Sequence, residues 1–151
     1  MSAANVELVR YIQDALGTDD VVAALDDEER ERGVREALAE TAEPEFEVAM
    51  VGPDYVPTQA EGVGADGFAA VWSDWASAFA SFRIEIEDVI DAGEKVVSLV
   101  RLHGRTRTDQ VPIEKEAAAV WTVRNGRLAR VEFHLDREVA LRAAGLSESP
   151  R

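Results

Sequence analysis

The chain has 151 residues, a formal net charge of −14 and no cysteine. This length suits one domain with its own hydrophobic core, which we expect to span residues 1–146, with 147–151 as a loose tail. The lack of cysteine excludes disulfides and thiolate chemistry, and the negative charge disfavours nucleic acid and anionic membrane surfaces as partners.

The N-terminal third predicts helices followed by a strand. Apolar residues recur at three- and four-residue steps within 5–16, which predicts a helix that ends at Gly17. A second helical run extends from Thr18 to Pro44, with Gly33 as a candidate break. Polar and apolar residues then alternate over 45–51, the pattern of a half-buried strand.

The middle of the chain predicts a loop and an apolar helix. The segment 53–64 is rich in Gly and Pro and is long enough to form the rim of a pocket. Residues 65–79 follow with an aromatic stripe at helical spacing. The stripe is formed by Phe68, Trp72, Trp75 and Phe79.

The C-terminal half predicts four strands and a short helix. "FRIEIEDVI" and "KVVSLVRLHGRTR" form a first hairpin, and "VPIEKEAAAVWTV" and "RLARVEFHLD" form a second around Asn125 and Gly126. "REVALRAAGL" closes the domain as a helix. This order predicts an α+β fold: a cone-shaped, curved antiparallel sheet covered on its concave face by the N-terminal and central helices.

These segments resemble the SnoaL-like branch of the nuclear transport factor 2-like superfamily, which includes polyketide cyclases, ketosteroid isomerases and limonene epoxide hydrolases. The similarity is carried by "GADGFAAVWSDW", "FRIEIEDVIDAGEKVV", "GRTR", "AAAVWTVRNGRLARVEFHLDREVAL" and "AAGL", in that order. The resemblance implies a cone whose apolar cavity holds a small organic molecule. It specifies the fold more closely than the reaction.

The first hairpin suggests a catalytic pair. With Ala92 and Gly93 at its tip, Phe82 pairs with His103 and Arg101 shares their face, which we expect to be the cavity face. The resemblance matches Arg101 to an arginine of the epoxide hydrolases, with His103 in place of their aspartate. His103 could then act as a general base and Arg101 could stabilise an oxyanion.

Tyr55, in the long loop, is the third catalytic candidate, as a hydrogen-bond donor to a carbonyl. The alternative for all three residues is structural. Arg101 and His103 would then bond to loop carbonyls at the end of the sheet, and Tyr55 would anchor its loop.

The second hairpin predicts the lining of the cavity. With Arg124 opposite Arg127, Val131 and Phe133 share the cavity face, and Phe133 takes the position of the family's last-strand acid. A β-bulge would instead turn Glu132 or His134 inward. The predicted substrate-binding residues are Trp72, Trp75, Phe82, Leu99, Val131 and Phe133.

The same registers leave apolar side chains on the convex face of the sheet, among them Val100, Leu102 and Trp121. Exposed apolar surface of this kind usually marks an interface. We therefore expect a homodimer packed through this face, with Trp121 near its centre.

Three functions remain open at this stage. The chain is a cofactor-independent isomerase, cyclase or hydrolase of a small apolar molecule, a non-catalytic binding module with the same cavity, or a dimerisation module with a filled cavity. We expect no cofactor and no metal, because two histidines are the only imidazole ligands available. No apolar run is long enough to cross a membrane and no signal peptide is evident, so we expect a cytoplasmic protein.

Overall fold

The computed structural model describes residues 3–16, 20–25, 27–51 and 61–146, and it confirms the α+β prediction. Tyr55 and the tail 147–151 lie outside the described residues. None of the helices described is long and apolar enough to span a membrane. In chain order the elements are α1 Ala3–Leu16, α2 Val21–Leu25, α3 Glu28–Thr41, β1 Ala42–Val51, β2 Glu61–Val63, α4 Gly64–Ala76, β3 Phe79–Ala92, β4 Lys95–Thr106, β5 Pro112–Arg124, β6 Arg127–His134 and α5 Arg137–Ala143.

The second helical run is interrupted at Asp27 and not at Gly33. The Asp27 side chain accepts hydrogen bonds from the backbone N–H groups of Glu29 and Arg30, so it caps the first turn of α3. Gly33 lies inside α3. The capping carboxylate satisfies backbone donors that the helix itself leaves free, and this decides where α3 begins.

Six strands form one sheet in the order β2-β1-β6-β5-β4-β3. β1 runs parallel to β6, and the other neighbouring pairs are antiparallel. The predicted Asn-Gly hairpin is confirmed: Arg124 pairs with Arg127, and Asn125 and Gly126 both have positive φ angles, of 55° and 75°.

The two faces of the sheet pack against different helices. A large core cluster joins one face to α1, α3 and α4, with Val9, Leu38 and Phe68 among its buried members. A smaller cluster on the opposite face holds Val97, Val120 and Leu141, the last from α5. The larger cluster surrounds the candidate site.

The register predicted for the first hairpin is wrong. The turn lies at Gly93 and Glu94, because Ala92 pairs with Lys95, and Gly93 has a φ of 85°. Glu87 is then an extra residue in β3 between the pairs Ile86–Val100 and Asp88–Leu99. Beyond the bulge Phe82 pairs with Gly104 and not with His103.

The second hairpin contains a bulge as well. Ala129 is the extra residue, because Val123 pairs with Leu128 and Thr122 pairs with Arg130. Farther along, Trp121 pairs with Val131 and lies on the same face. The prediction that Trp121 lies near the centre of a dimer interface is therefore wrong, since the core of a single chain leaves it only 2% exposed.

The apolar side chains expected on the convex face lie on the opposite face of the sheet. Val100, Leu102 and Trp121 are buried members of the large cluster, on the face that the helices cover. The bulges change the pairing of β3 with β4 and of β6 with β5, so these side chains share a face with Ile84, Ile86 and Phe133. The exposed apolar surface that motivated a dimer through this face is thus absent from the described strands.

Two glycines bring α4 against the edge strand. A β-carbon added to Gly67 would lie 2.6 Å from the carbonyl carbon of Gly62, and one added to Gly62 would lie 2.6 Å from the α-carbon of Gly67. Backbone meets backbone at this point, so neither neighbour can give way as a flexible side chain would. The start of α4, which carries Phe68 and Trp72, is positioned by this contact.

We predict that Gly67→Ala destabilises the fold by about 1–3 kcal/mol, the usual cost of forcing extra atoms into a packed site. Gly33→Ala is the matched control, since Gly33 also lies inside a helix but its added β-carbon meets nothing within 4 Å. It should stabilise the fold by about 0.5–1 kcal/mol. Urea unfolding of both variants measures the difference, and equal effects would contradict the contact.

Candidate functional site

An apolar cavity lies between the concave face of the sheet, α1 and α4. Its volume is about 70 Å³. A buried water needs about 10–15 Å³, so the cavity has room for roughly five waters, or about one six-membered ring. The lining is mostly apolar and aromatic, and includes Leu16, Met50, Trp72, Trp75, Phe82, Ile84, Ile86, Val100, Leu102, Ala117, Ala119, Trp121, Phe133 and Leu135.

A chain of buried hydrogen bonds forms one wall of this cavity. The indole Nε1 of Trp121 donates to Oγ of Ser98 over 2.9 Å, and the Ser98 hydroxyl donates to Oε1 of Gln13. All three residues border the cavity and are at least nine-tenths buried. The chain satisfies polar atoms that would be costly to bury alone, and it joins α1 to β4 and β5.

Gln13 and Ser98 were not predicted as site residues. Ser98 interrupts the apolar run "KVVSLV", and Gln13 follows the buried Ile12 in α1. A polar residue inside an apolar pattern is the signal that could have identified both. Their partnership requires the register of β4 against β5, in which Ser98 pairs with Ala119 beside Trp121.

Trp72 separates this cavity from a second one of about 100 Å³ beneath α2, α3 and α4. Leu16, Trp72 and Ile84 border both spaces. The Trp72 ring packs edge-on to Phe133, with ring centroids 4.8 Å apart. These three side chains, of which the Trp72 indole is the largest, therefore form the boundary between the two spaces.

Four of the six predicted substrate-binding residues border the cavity, namely Trp72, Trp75, Phe82 and Phe133. The other two do not. Leu99 packs against the smaller cluster under α5, and Val131 is fully buried in the large core. For Leu99 the cause is the bulge at Glu87, which pairs it with Asp88.

The expectation that Arg101 and His103 face the cavity is wrong. Arg101 pairs with Glu85 across β3, and its guanidinium binds three carboxylates, those of Glu87, Glu114 and Glu116, at 2.9, 3.3 and 3.1 Å. Neither Arg101 nor His103 borders the cavity. The catalytic role predicted for this pair has no described cavity in which to act.

His103 belongs to the same charged surface. Its Nε2 lies 2.9 Å from Oε1 of Glu85, and its side chain is 29% exposed. The alternative of bonds to loop carbonyls is wrong for Arg101 and His103 as well, because carboxylates on neighbouring strands are their partners.

His134 borders the cavity at the end of β6, beside Phe133 and Leu135. Its Nε2 lies 2.9 Å from Oε1 of Glu132, whose Oε2 accepts a hydrogen bond from Nε of Arg130 over 2.8 Å. Arg130 also donates to Glu47. The imidazole is thus held by a carboxylate that is itself held by a guanidinium.

Burial acts to raise the pKa of the Glu132 carboxyl, but hydrogen bonds from Arg130 and His134 outweigh it and lower the pKa below the ordinary value of 4.5. Glu132 is therefore a carboxylate at neutral pH and acts only as an acceptor. The Nε2 of a neutral His134 must then carry the proton, so its Nδ1 presents a lone pair.

Two buried polar atoms in residues that border the cavity have no hydrogen-bond partner among the described residues. They are the Nε1 donor of Trp72 and the Nδ1 of His134. His134 is 4% exposed and Trp72 is 7% exposed, so bulk water does not reach them freely. Leaving such an atom unsatisfied costs about 1–3 kcal/mol, which makes the Trp72 donor a candidate for contact with a ligand. His134 pairs with Ala118, whose side chain belongs to the cluster under α5 on the other face of the sheet.

We predict that Glu132→Gln lowers stability at neutral pH and that the loss narrows as the pH falls below 4.5, the ordinary pKa of the group. The lowered pKa stabilises the folded state only while the carboxyl is ionised, and this contribution is lost as acid protonates it. Urea unfolding across acid pH measures the difference. The matched control is Glu47→Gln, which removes a 59% exposed partner of the same Arg130 and should cost little. A loss for Glu132→Gln that is independent of pH would contradict the assignment.

Solved structures share this fold across nearly the whole chain. A putative SnoaL-like polyketide cyclase from Jannaschia sp. CCS1 is similar with a TM-score of 0.64 and 19% identity, over 97% of this chain and 94% of the other. IdmH, a putative polyketide cyclase from Streptomyces antibioticus, gives 0.59 and 16% over 94% and 97%. TerC, crystallised with polyporic acid, gives 0.65 and 16% over 94% and 98%.

Identities this low show the fold and not the reaction. No curated protein matches the sequence. The family model described as the SnoaL-like domain matches residues 9–131, which include α2 to α4, β1 to β5, parts of α1 and β6, and most of the cavity lining. The chain therefore belongs to the SnoaL-like domain family.

Proposed function

We propose that this protein binds a small, largely apolar organic molecule, about the size of one ring, in the cavity between α1, α4 and the sheet. The observation that carries the proposal is the cavity itself, which has an aromatic and aliphatic lining with the hydrogen-bond chain of Gln13, Ser98 and Trp121 in one wall. Ligand sites in proteins have this character, with an apolar lining and a few fixed polar groups.

The composition of the lining favours binding by desolvation. Removing apolar surface from water contributes roughly 25 cal/mol for each Å² buried, and a ring enclosed by Trp72, Trp75 and Phe133 would lose most of its hydration. Among the described residues that line the cavity, none carries a carboxylate. A strongly cationic ligand would therefore lack a counter-charge in this wall.

Solved structures of the same fold are consistent with a small organic ligand. TerC was crystallised with polyporic acid, and a protein with a ketosteroid isomerase-like fold from Catenulispora acidiphila was crystallised with trimethylamine. For this chain the two cavities bordered by Trp72 offer space for one ring, or for a longer molecule if the indole moves.

Cofactor-independent isomerisation, cyclisation or hydrolysis of the bound molecule stays a prediction, as does a cytoplasmic location. The acid that the resemblance places on the last strand is Phe133 in this chain. Phe133 packs against Trp72 and Trp121, with centroid distances of 4.8 and 6.1 Å. This substitution favours binding over catalysis by the acid of the relatives.

We predict that Ala119→Leu abolishes binding of toluene, because Ala119 borders the cavity and the larger side chain would fill it. Toluene at ten times its Kd should stabilise the unaltered protein by about 1.4 kcal/mol. For a chain of this length the corresponding rise in Tm is about 4 °C. Thermal unfolding with and without toluene measures the shift, and saturation-transfer NMR detects binding directly.

Ala70→Leu is the matched control, since Ala70 is exposed on α4 and does not border the cavity. It should keep the full toluene shift. Circular dichroism establishes that both variants are folded. The proposed function is wrong if toluene does not bind the unaltered protein, or if Ala119→Leu binds toluene as well as Ala70→Leu does.

Homodimerisation also stays a prediction, through a surface different in character from the one first expected. The side of the sheet away from the cavity carries the ion pairs of Arg101 and His103 with their carboxylate partners. A dimer formed there would rest on polar contacts and would weaken as salt screens them. Sedimentation at micromolar concentration in low and high salt measures this, and a monomer in both would contradict it.

A further inference from the structure

The hydrogen-bond chain in the cavity wall ends at an amide group of which only one end is used. Nε1 of Trp121 donates to Oγ of Ser98, and the Ser98 hydroxyl donates to Oε1 of Gln13. The Nε2 atom of the same amide carries two N–H donors. Gln13 is only 8% exposed, and no residue in the described ranges of the chain accepts a hydrogen bond from this nitrogen.

The direction of the hydrogen-bond chain decides which end of the amide stays free. An indole nitrogen can only donate, so Oγ of Ser98 accepts from Trp121. The single hydroxyl proton of Ser98 then needs an acceptor, and Gln13 is the partner that the structure provides. Gln13 must therefore turn its oxygen toward Ser98, which leaves its NH₂ group as the unused end.

The Gln13 amide lies on the cavity face of the sheet. Ser98 shares its face of β4 with Val96 and Val100, which are buried members of the large cluster. Gln13 reaches that face from α1, since its Oε1 contacts the Ser98 hydroxyl. Because Nε2 is bonded to the same carbon as Oε1, the nitrogen lies beside Ser98 as well. Gln13 and Ser98 both border the cavity, so the free donor stands at its wall.

The unused hydrogen-bonding capacity on this side of the sheet consists of donors. A second buried donor without a described partner, Nε1 of Trp72, belongs to a residue that borders both cavities. A hydrocarbon buried against the Gln13 amide would leave its N–H groups unsatisfied, at a cost. A carbonyl oxygen accepts up to two hydrogen bonds and brings no donor of its own. It is therefore the simplest group that matches this wall.

We propose that the Gln13 amide donates a hydrogen bond to the ligand and thereby selects a carbonyl group on an apolar ring. The inference rests on the proposed function, because it names a specificity-determining donor and the chemical class of the ligand in the same cavity. The bond from Ser98 holds the amide oxygen, which leaves the nitrogen for the ligand. A site built to hydrogen-bond one group of a ligand discriminates against the analogue that lacks it.

The experiment compares cyclohexanone with methylenecyclohexane, which have the same ring and differ only in the oxygen or CH₂ group at the double bond. Saturation-transfer NMR titrations give both Kd values, and their ratio is compared between proteins, so that the different hydration of the probes cancels. Gln13→Met keeps an unbranched side chain and removes the amide. The ratio should shift by about tenfold in favour of methylenecyclohexane, the change expected for one hydrogen bond.

Asn5→Leu is the matched control, because it removes another side-chain amide of α1. That amide donates to the carbonyl oxygen of Gly93, and Asn5 does not border the cavity. The control should leave the ratio unchanged. If the unaltered protein binds methylenecyclohexane and Gln13→Met does not change the ratio, the inference is overturned while the proposed function stands. If neither probe binds, the proposed function fails and the inference fails with it.

A second measurement needs no variant and applies even if Gln13→Met does not fold. The chain has three glutamines and two asparagines, so the side-chain NH₂ resonances of Gln13 can be assigned in a nitrogen–proton correlation spectrum. Adding cyclohexanone should move one of these proton resonances downfield as the hydrogen bond forms, and methylenecyclohexane should move it much less. Equal shifts with both probes, or a shift confined to the indole N–H of Trp72, would overturn the inference.

Discussion

Side chains alternate between the two faces of a strand, so one extra residue moves every later side chain to the opposite face. Glu87 in β3 and Ala129 in β6 are two such residues. They set the pairing of β3 and β6 with their neighbours, so that the face of β4 and β5 with Ser98 and Trp121 lies beside the cavity and the face with Arg101 lies among carboxylates on the far side. The composition of the cavity wall therefore depends on the two bulges as much as on which residues the strands contain.

The hydrogen-bond chain across the cavity wall depends on that arrangement. Ser98 can accept from Trp121 and donate to Gln13 only because β4, β5 and α1 present these side chains to one space. Without its neighbours each buried polar atom would cost free energy. Joined together, they let a wall of the core remain polar while the surrounding lining stays apolar and able to enclose a ligand.

Much of the fold followed from local patterns, and much of the site did not. Strand alternation, the Asn-Gly turn and the aromatic stripe of α4 predicted the elements, and Trp72, Trp75, Phe82 and Phe133 do line the cavity. The faces of Arg101, His103, Leu99 and Trp121 were predicted incorrectly, because a turn displaced by one residue and a bulge carry no strong local signal. A bulge in the last strand was considered as an alternative that would turn Glu132 or His134 inward. The bulge at Ala129 instead leaves Phe133 on the cavity face and pairs β5 so that Trp121 lies on that face as well.

The indole of Trp72 stands between two spaces that differ in their surroundings, one against the sheet and one beneath three helices. A smaller side chain at this position would remove the largest part of the boundary, which Leu16 and Ile84 share. The residue at position 72 therefore affects how long a molecule the two spaces accept together. The same change offers a direct route to engineering the protein for elongated molecules, with the loss of ring packing against Phe133 as its cost in stability.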